Sequence, residues 1–367
     1  MSSIFETLNN LSKPLLLSKG APKIRIDDWT FRLHYRLTAL LCILFSALVC
    51  MKEYIGDHIK CVHMQEDEGT DPIIPKKVLE TYCFITTTFT VPYNSATSLM
   101  KMDYKTSTML GGPGYIEGRN EKVFHAYYQW VNVYLFLMGV LFAIPHVIWK
   151  AVDDNKLKNL VQELNVPELP MGKSMKSKQV IMLADYIVKS TGTHSAWAMT
   201  FLFCEFLNLL ILGGLCYLTD LFLSKEFSTY GIKVLQFLEG DPEDRSDPMA
   251  DVFPRVTKCD LSTYGPSGSI QRFNALCLLP LNVINEKIFT FLWFWFVAVS
   301  FVSLGGWIYR CMTLLSTRIR CQSLGVDSYK TVVKQLTTSD WVLLHLLRQN
   351  LDQITFDKLL YLVDEQL

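Results

Sequence analysis

Charge is scarce in this chain. Only 19% of its 367 residues are Asp, Glu, Lys or Arg, and they cancel to a formal net charge of zero. The basic residues form no dense cluster, which argues against nucleic acid or polyanionic lipid as partners. A phosphate cradle is missing too: Gly172 to Ser174 (GKS) is the tail of a P-loop, but Pro167 stands where its first glycine belongs. Cys61 and His63, with Glu66, could touch a metal, yet no second ligand pair has zinc spacing. No nucleophile–base set stands out either, so the chain reads as no enzyme, with no metal and no cofactor. Glycosylation sequons are almost absent, the single one being Asn10-Leu11-Ser12. No two cysteines are adjacent.

Apolar residues fill the space that charge vacates. Half of the chain is hydrophobic, 13% is aromatic, and the mean hydropathy is +0.21. Those values suit several membrane spans better than a soluble core. The clearest span is Val131 to Trp149, nineteen residues without a formal charge, or roughly 28 Å of helix against a ~30 Å hydrocarbon core. Tyr127, Tyr128 and Trp130 gather at one end and Trp149 and Lys150 at the other, where amphipathic rings sit at headgroup level. Pro145 lies inside the run, removes one backbone donor and predicts a kink.

Three further runs complete the pattern: Leu37 to Met51, short unless Phe31 to Tyr35 continue it, Trp197 to Leu223, and Ile288 to Tyr309. The chain then divides into an N-terminal segment (1–36), spans at 37–51, 131–149, 197–223 and 288–309, long loops at 52–127 and 224–287, a middle segment at 150–196 and a tail at 310–367. Asp27 and Asp28 precede a helix start at Trp29, and Ile4 to Leu17 could form a short amphipathic helix broken at Pro14. Tyr82 to Val91 is rich in β-branched and aromatic residues and predicts a strand. Gly111 to Gly114 and Tyr264 to Ser269 read as turns. Met175 to Lys189 predicts a helix with Val180, Leu183, Ala184 and Ile187 on one face. In the tail, Asp340 is expected to cap a helix whose Val342, Leu346, Leu347 and Leu351 form a stripe that packs on the middle segment or on a neighbouring subunit. The aromatic cluster Phe289 to Phe296 reads as helix packing and outer interface.

Two polar residues interrupt the third span, Glu205 and Asn208, one turn apart. An ionisable group at such depth faces protein or water. A structural pairing of Glu205 with Arg32, Arg36 or Arg310 is the expectation.

Charge distribution sets the orientation. The termini and middle segment (1–36, 150–196, 310–367) carry 20 Lys and Arg against 14 Asp and Glu, a net of +6. The two long loops (52–127 and 224–288) carry 15 against 19, a net of −4. Positive-inside then places both termini in the cytoplasm. Each long loop also holds two cysteines, Cys61 and Cys83 in the first and Cys259 and Cys277 in the second, at spacings of 22 and 18. Disulfides persist outside the cell, which agrees. Four cysteines permit three pairings, and spacing does not choose among them. The other six read as free thiols in or beside spans or in the tail.

Several blocks together resemble the innexins, the invertebrate gap-junction proteins. Tyr127, Tyr128, Gln129, Trp130 and Val131 (YYQWV) before a second span are similar to the family's signature. FRLHYR before the first span, YIGDHIKC in the first loop, FPRVTKCD and YGPSGSIQRFNALCLLPLNVINEKIF in the second, and LWFWF in the fourth span resemble innexin blocks as well. The likeness runs from about Ile24 to Tyr309. Departures are His58 where innexins commonly have proline, Phe84 where tryptophan often follows the cysteine, and a longer N-terminal start. Two cysteines per outer loop fit, whereas connexins carry three.

The resemblance implies an all-α membrane protein: a four-transmembrane-helix bundle subunit with a small disulfide-stapled extracellular α/β loop domain and a helical cytoplasmic domain. It implies nested pairing, Cys61 with Cys277 and Cys83 with Cys259. It further implies a homo- or hetero-oligomer with other innexins, eight subunits around a wide pore lined by the N-terminal segment and the first span. That ring would sit in the plasma membrane and dock to an apposed one on the neighbouring cell, passing ions and small metabolites. An undocked hemichannel releasing small solutes such as ATP is the related alternative. A four-span adhesion protein is the rival of another class. Tetraspanins would need adjacent cysteines, and claudin-like proteins have a far shorter second loop.

Overall fold

The computed structural model describes residues 24–63, 75–90, 122–162, 164, 173–239, 247–264, 267–325 and 330–367. The expected amphipathic segment Ile4 to Leu17, the turn at Gly111 to Gly114, Glu66 and the middle of the turn at Tyr264 to Ser269 lie outside the described residues.

In chain order, the first loop follows α1 (Trp29–Ile55) and contributes β1 (Lys60–His63), α2 (Lys76–Thr86), β2 (Thr88–Thr90) and β3 (Val123–His125). Next come α3 (Val131–Asp153), α4 (Lys156–Val161), α5 (Lys173–Lys189) and α6 (Ser195–Phe222). The second loop supplies α7 (Phe227–Glu239), α8 (Pro248–Val252), β4 (Val256–Tyr264) and β5 (Ile270–Leu278). The chain closes with α9 (Pro280–Leu315), α10 (Thr317–Leu324), α11 (Lys330–Gln335), α12 (Thr338–Arg348) and α13 (Gln353–Gln366).

Helices α1, α3, α6 and α9 are each long and apolar enough to cross a membrane, with mean hydropathy of 1.8 to 2.0 over their best windows. Only 33–39% of each window is buried within the chain, so most of the apolar surface is left for lipid or other subunits. The first span does continue through Phe31 to Tyr35, by way of a π-helical turn at Leu33–Thr38. The fourth begins at Pro280, earlier than hydropathy indicates. Its opening turns hold Asn282, Asn285 and Glu286, all fully buried. Asn282 donates to Tyr127 Oη and the Pro254 carbonyl, and Glu286 accepts from Arg255. Polar residues that bond to protein rather than water look like loop to a hydropathy count.

Backbone contacts divide the chain into two compact units, and each long helix contributes to both. One unit (Leu41–Met138, Gly214–Val297) contains the five-stranded antiparallel sheet, in the order β1-β5-β4-β2-β3. The expected strand over Tyr82 to Val91 is shorter: Tyr82 to Thr86 finish α2, Thr88–Thr90 is strand, and Val91 lies outside the described residues. Leu79 and Cys83, one turn apart, are the buried face of α2. That helical spacing outweighs local β-propensity. Thr87 takes a positive φ of 76° at the junction. In the same unit Phe289, Leu292 and Phe296 are buried, with Phe289 stacked 5.4 Å from Phe253, while Phe291 and Phe294 remain exposed.

The other unit (Met1–Leu40, Gly139–Gly213, Ala298–Leu367) carries α4, α5 and α10 to α13. Val180, Leu183, Ala184 and Ile187 of α5 join one core with Val342, Leu346, Leu347 and Leu351 of the tail and Leu359, Leu360 and Val363 of α13. Lys176 pairs with Asp352 at 3.1 Å and Lys358 donates to Ser177 Oγ at 2.9 Å, so the tail packs on the middle segment. The tail helix is two helices, not one. Thr337, rather than Asp340, is the N-cap of α12; Asp340 sits three residues in and closes a capping box. Asp352 caps α13.

Candidate functional site: a disulfide-tied sheet and a buried charge centre

The sheet owes its order to strands from both loops. The β4–β5 hairpin of the second loop lies between β1 and β2 of the first, with nine paired positions from Val256↔Leu278 to Tyr264↔Ile270. Cys61 and Cys277 face each other directly in the β1–β5 register and are bonded. Cys83 on α2 is bonded to Cys259 on β4, fastening the helix to the sheet. Both bonds link one loop to the other, the nested arrangement that the family resemblance implies. The four cysteines are at most 2% exposed, in a small core with Ile59, Leu79, Tyr128 and Leu279. The Cys61, Cys83 and Cys277 sulfurs lie within 4.8 Å of one another, but as disulfides they offer no thiolate to a metal.

Tyr127 to Val131 join that layer to α3. Tyr127–Gln129 form one tight helical turn and Val131 starts the helix. Of the aromatic rings expected at headgroup level, only Trp130 is largely exposed, at 59%. Tyr128 is buried and packs 5.6 Å from Phe84, and Gln129 donates to the Phe84 carbonyl at 2.5 Å. The Tyr127 ring stands 5.6 Å edge-on to Phe253, its hydroxyl accepts from Asn282 at 2.9 Å, and burial pushes that hydroxyl well above the ordinary tyrosine range. The signature therefore stitches α3 to α9 and α2, with one ring left outward. At the far end Trp149 is no interface ring. It is fully buried, donates to the Ile26 carbonyl at 2.7 Å and packs 5.1 Å from Trp197. Pro145 lies inside α3, which runs on to Asp153.

The second constellation gathers around Glu205 on α6. Of the three candidate arginines, Arg310 on α9 takes it: Nε and Nη2 donate to the two carboxylate oxygens at 2.8 and 2.7 Å. Arg32 instead pairs with Asp27 at 3.3 Å, and Arg36 donates to Tyr35 Oη at 3.1 Å. A guanidinium fork suits a carboxylate bidentately, which Lys could not match. Arg310 also pairs with Asp28, which in turn contacts His345 and Gln349 of α12. Burial alone would raise the Asp28 carboxyl, but hydrogen bonding to His345 and the Arg310 charge hold it well below the usual carboxylate range. Asn350 adds a reciprocal pair, accepting from Arg25 N at 2.6 Å and donating to Arg25 O at 2.7 Å. Residues 25–28, at the entrance to α1, are thus fastened to the tail. Hydropathy cannot reveal this clamp, because it is built from polar groups distant in sequence; the Asp27-Asp28 pair before Trp29 was its only local sign. Asn208, one turn from Glu205, is 4% exposed, and neither amide atom has a protein partner.

Four span-length apolar helices, joined through loops that two disulfides tie together, define a multi-pass membrane protein. Residues 27–367 match the innexin family model. The chain is 40% identical over 344 residues to innexin inx2 of Schistocerca americana, covering 91% of each chain. It is also 40% identical over 352 residues to innexin inx2 of Drosophila melanogaster (93% of this chain, 92% of that one), and 35% identical over 364 residues to innexin shaking-B of the same organism (97% and 92%). The chain belongs to the innexin family. Innexins are gap-junction channel proteins, channel-forming rather than enzymatic, and they form these channels with other innexin subunits.

Proposed function

We propose that this chain is one of eight subunits in a ring that docks head-to-head with a ring on the neighbouring cell. The observation that carries this reading is the cross-loop sheet: strands of two separate loops, covalently joined at Cys61–Cys277 and Cys83–Cys259, make one body. Docking between identical rings is a symmetric interface, and it needs loops of fixed shape. Cross-links between distant residues (216 and 176 positions apart) restrict the loops' freedom most. The loop sheet is then extracellular. The termini and the α5–α13 layer are cytoplasmic, as the net +6 of their segments against −4 for the long loops supports.

In this reading the N-terminal segment ahead of residue 24 enters the cytoplasmic mouth and, with the outward face of α1, lines a wide pore. Ions and small metabolites pass by diffusion, selected by pore width and wall charge rather than by a dehydrating filter. Trp130, the outward ring of the signature, anchors the sheet's level at the membrane surface. Glu205 and Arg310 act as a structural pair inside the bundle rather than as a wall of the conduit.

The disulfides supply the test. Cys61→Ser should abolish junctional conductance between paired cells while leaving surface expression measurable. Coupling at wild-type level from that variant would remove the docking role assigned to the sheet.

A further inference from the structure

Among the residues left over by a docking channel, one small cavity of mixed polar and apolar lining stands out. It lies between α1, α6 and α9 and is walled in part by Thr30, His34, Glu205, Asn208, Ser303 and Trp307, with a volume of about 20 Å³. His34 and Asn208 are 1% and 4% exposed. Three of their polar atoms have no protein partner: Nδ1 of His34, and Oδ1 and Nδ2 of Asn208. The remaining ring nitrogen, His34 Nε2, is 2.7 Å from Ser303 Oγ on α9.

We infer that this cavity is a binding site for one ordered water, held by the Asn208 amide and His34 Nδ1. A single buried water needs roughly 10–15 Å³ and makes about three hydrogen bonds; the space and the number of unmet atoms both match one molecule. An acyl chain or other apolar guest would leave all three atoms unmet, which is costly in a low-dielectric interior. A cation has little to gain, because Arg310 already engages both oxygens of the cavity's carboxylate, Glu205. The water joins α6 to α1, and through the His34–Ser303 bond to α9, so three spans share one polar bracket. It also fixes the orientation of the His34 ring, since each ring nitrogen then has a defined partner.

The inference does not depend on docking or on subunit number, and two measurements test it on the full-length assembled protein in lipid nanodiscs. In a density map fine enough to show buried water elsewhere in the protein, one peak should lie within hydrogen-bond distance of the Asn208 amide and His34 Nδ1. No peak, or density continuous with a lipid chain, overturns the site. In the second, Asn208→Leu and His34→Leu should each lower the melting temperature, and the double variant should fall no further than the lower single one, because either change already loses the shared water. Additive losses would show two independent residues and overturn the bracket.

Discussion

Replacing Arg310 with Met tests the buried charge centre most sharply. The Arg310 side chain is 6% exposed, and its guanidinium engages both oxygens of Glu205 and also meets Asp28. Met keeps much of the apolar stem but gives up the guanidinium's position over the Phe201 and Trp341 rings, whose centroids are each 5.6 Å from its carbon. What disappears is the one cation bonded to both carboxylates. Removing a single partner from a buried ion pair costs about 3–5 kcal/mol, because the other charge is left uncompensated. Asp28 keeps His345 and Gln349, whereas Glu205 keeps neither, so most of the loss should fall on Glu205. Equilibrium unfolding in mixed micelles measures it directly. The expected loss is about 3–5 kcal/mol, with a substantial part restored when Glu205→Gln is added, since a neutral amide requires no counter-charge. A loss below about 1 kcal/mol, or a double variant no better than Arg310→Met, would refute this description of the centre.

Two further outcomes follow from the loop unit. His125 of β3 is 9% exposed and bonds Thr90 Oγ1 at 2.7 Å, and burial pulls its pKa down to about 4. The unfolded chain, with an ordinary histidine near 6.5, therefore binds more protons between those values, so stability is present above about pH 6.5 and is lost as pH falls toward 4. The loss is at most about 3 kcal/mol. Denaturation of the loop unit followed against pH should show this slope, and His125→Gln should flatten it; an unchanged slope would free His125 of the role. Gly231 of α7 faces Trp293 so closely that a Cβ would lie 2.0 Å from the indole. Gly231→Ala should cost about 1–3 kcal/mol by overpacking, and Trp293→Ala in the same chain should relieve most of it. Equal melting curves for Gly231→Ala and wild type would show that the helix simply shifts.

Hydropathy alone locates all four spans, because lipid-facing helices advertise themselves in uninterrupted apolar residues. It fails where protein, not lipid, solvates the helix. Asn282, Asn285 and Glu286 hide the first two turns of α9 for that reason. Tyr82 to Thr86 have β-forming side chains, yet Leu79 and Cys83 carry the helical spacing that burial against the sheet selects. Tyr128 and Trp149 read as interfacial from composition and position. Both are instead core residues, since a ring beside a membrane span can serve either place and only packing decides. Glu205 was legible as a residue needing a cation, while the choice of Arg310 over Arg32 and Arg36 depended on tertiary contacts. The cysteine pairing could not be read from spacing; the likeness to innexin blocks implied it, and the β1–β5 register places Cys61 opposite Cys277.

Dual voltage clamp of paired cells bears most directly on the proposed role. With this chain as the sole innexin in both cells, a docking channel requires a junctional conductance that is absent when only one cell expresses it. A channel that opens in single cells but never couples pairs would contradict docking and leave an undocked pore as the function.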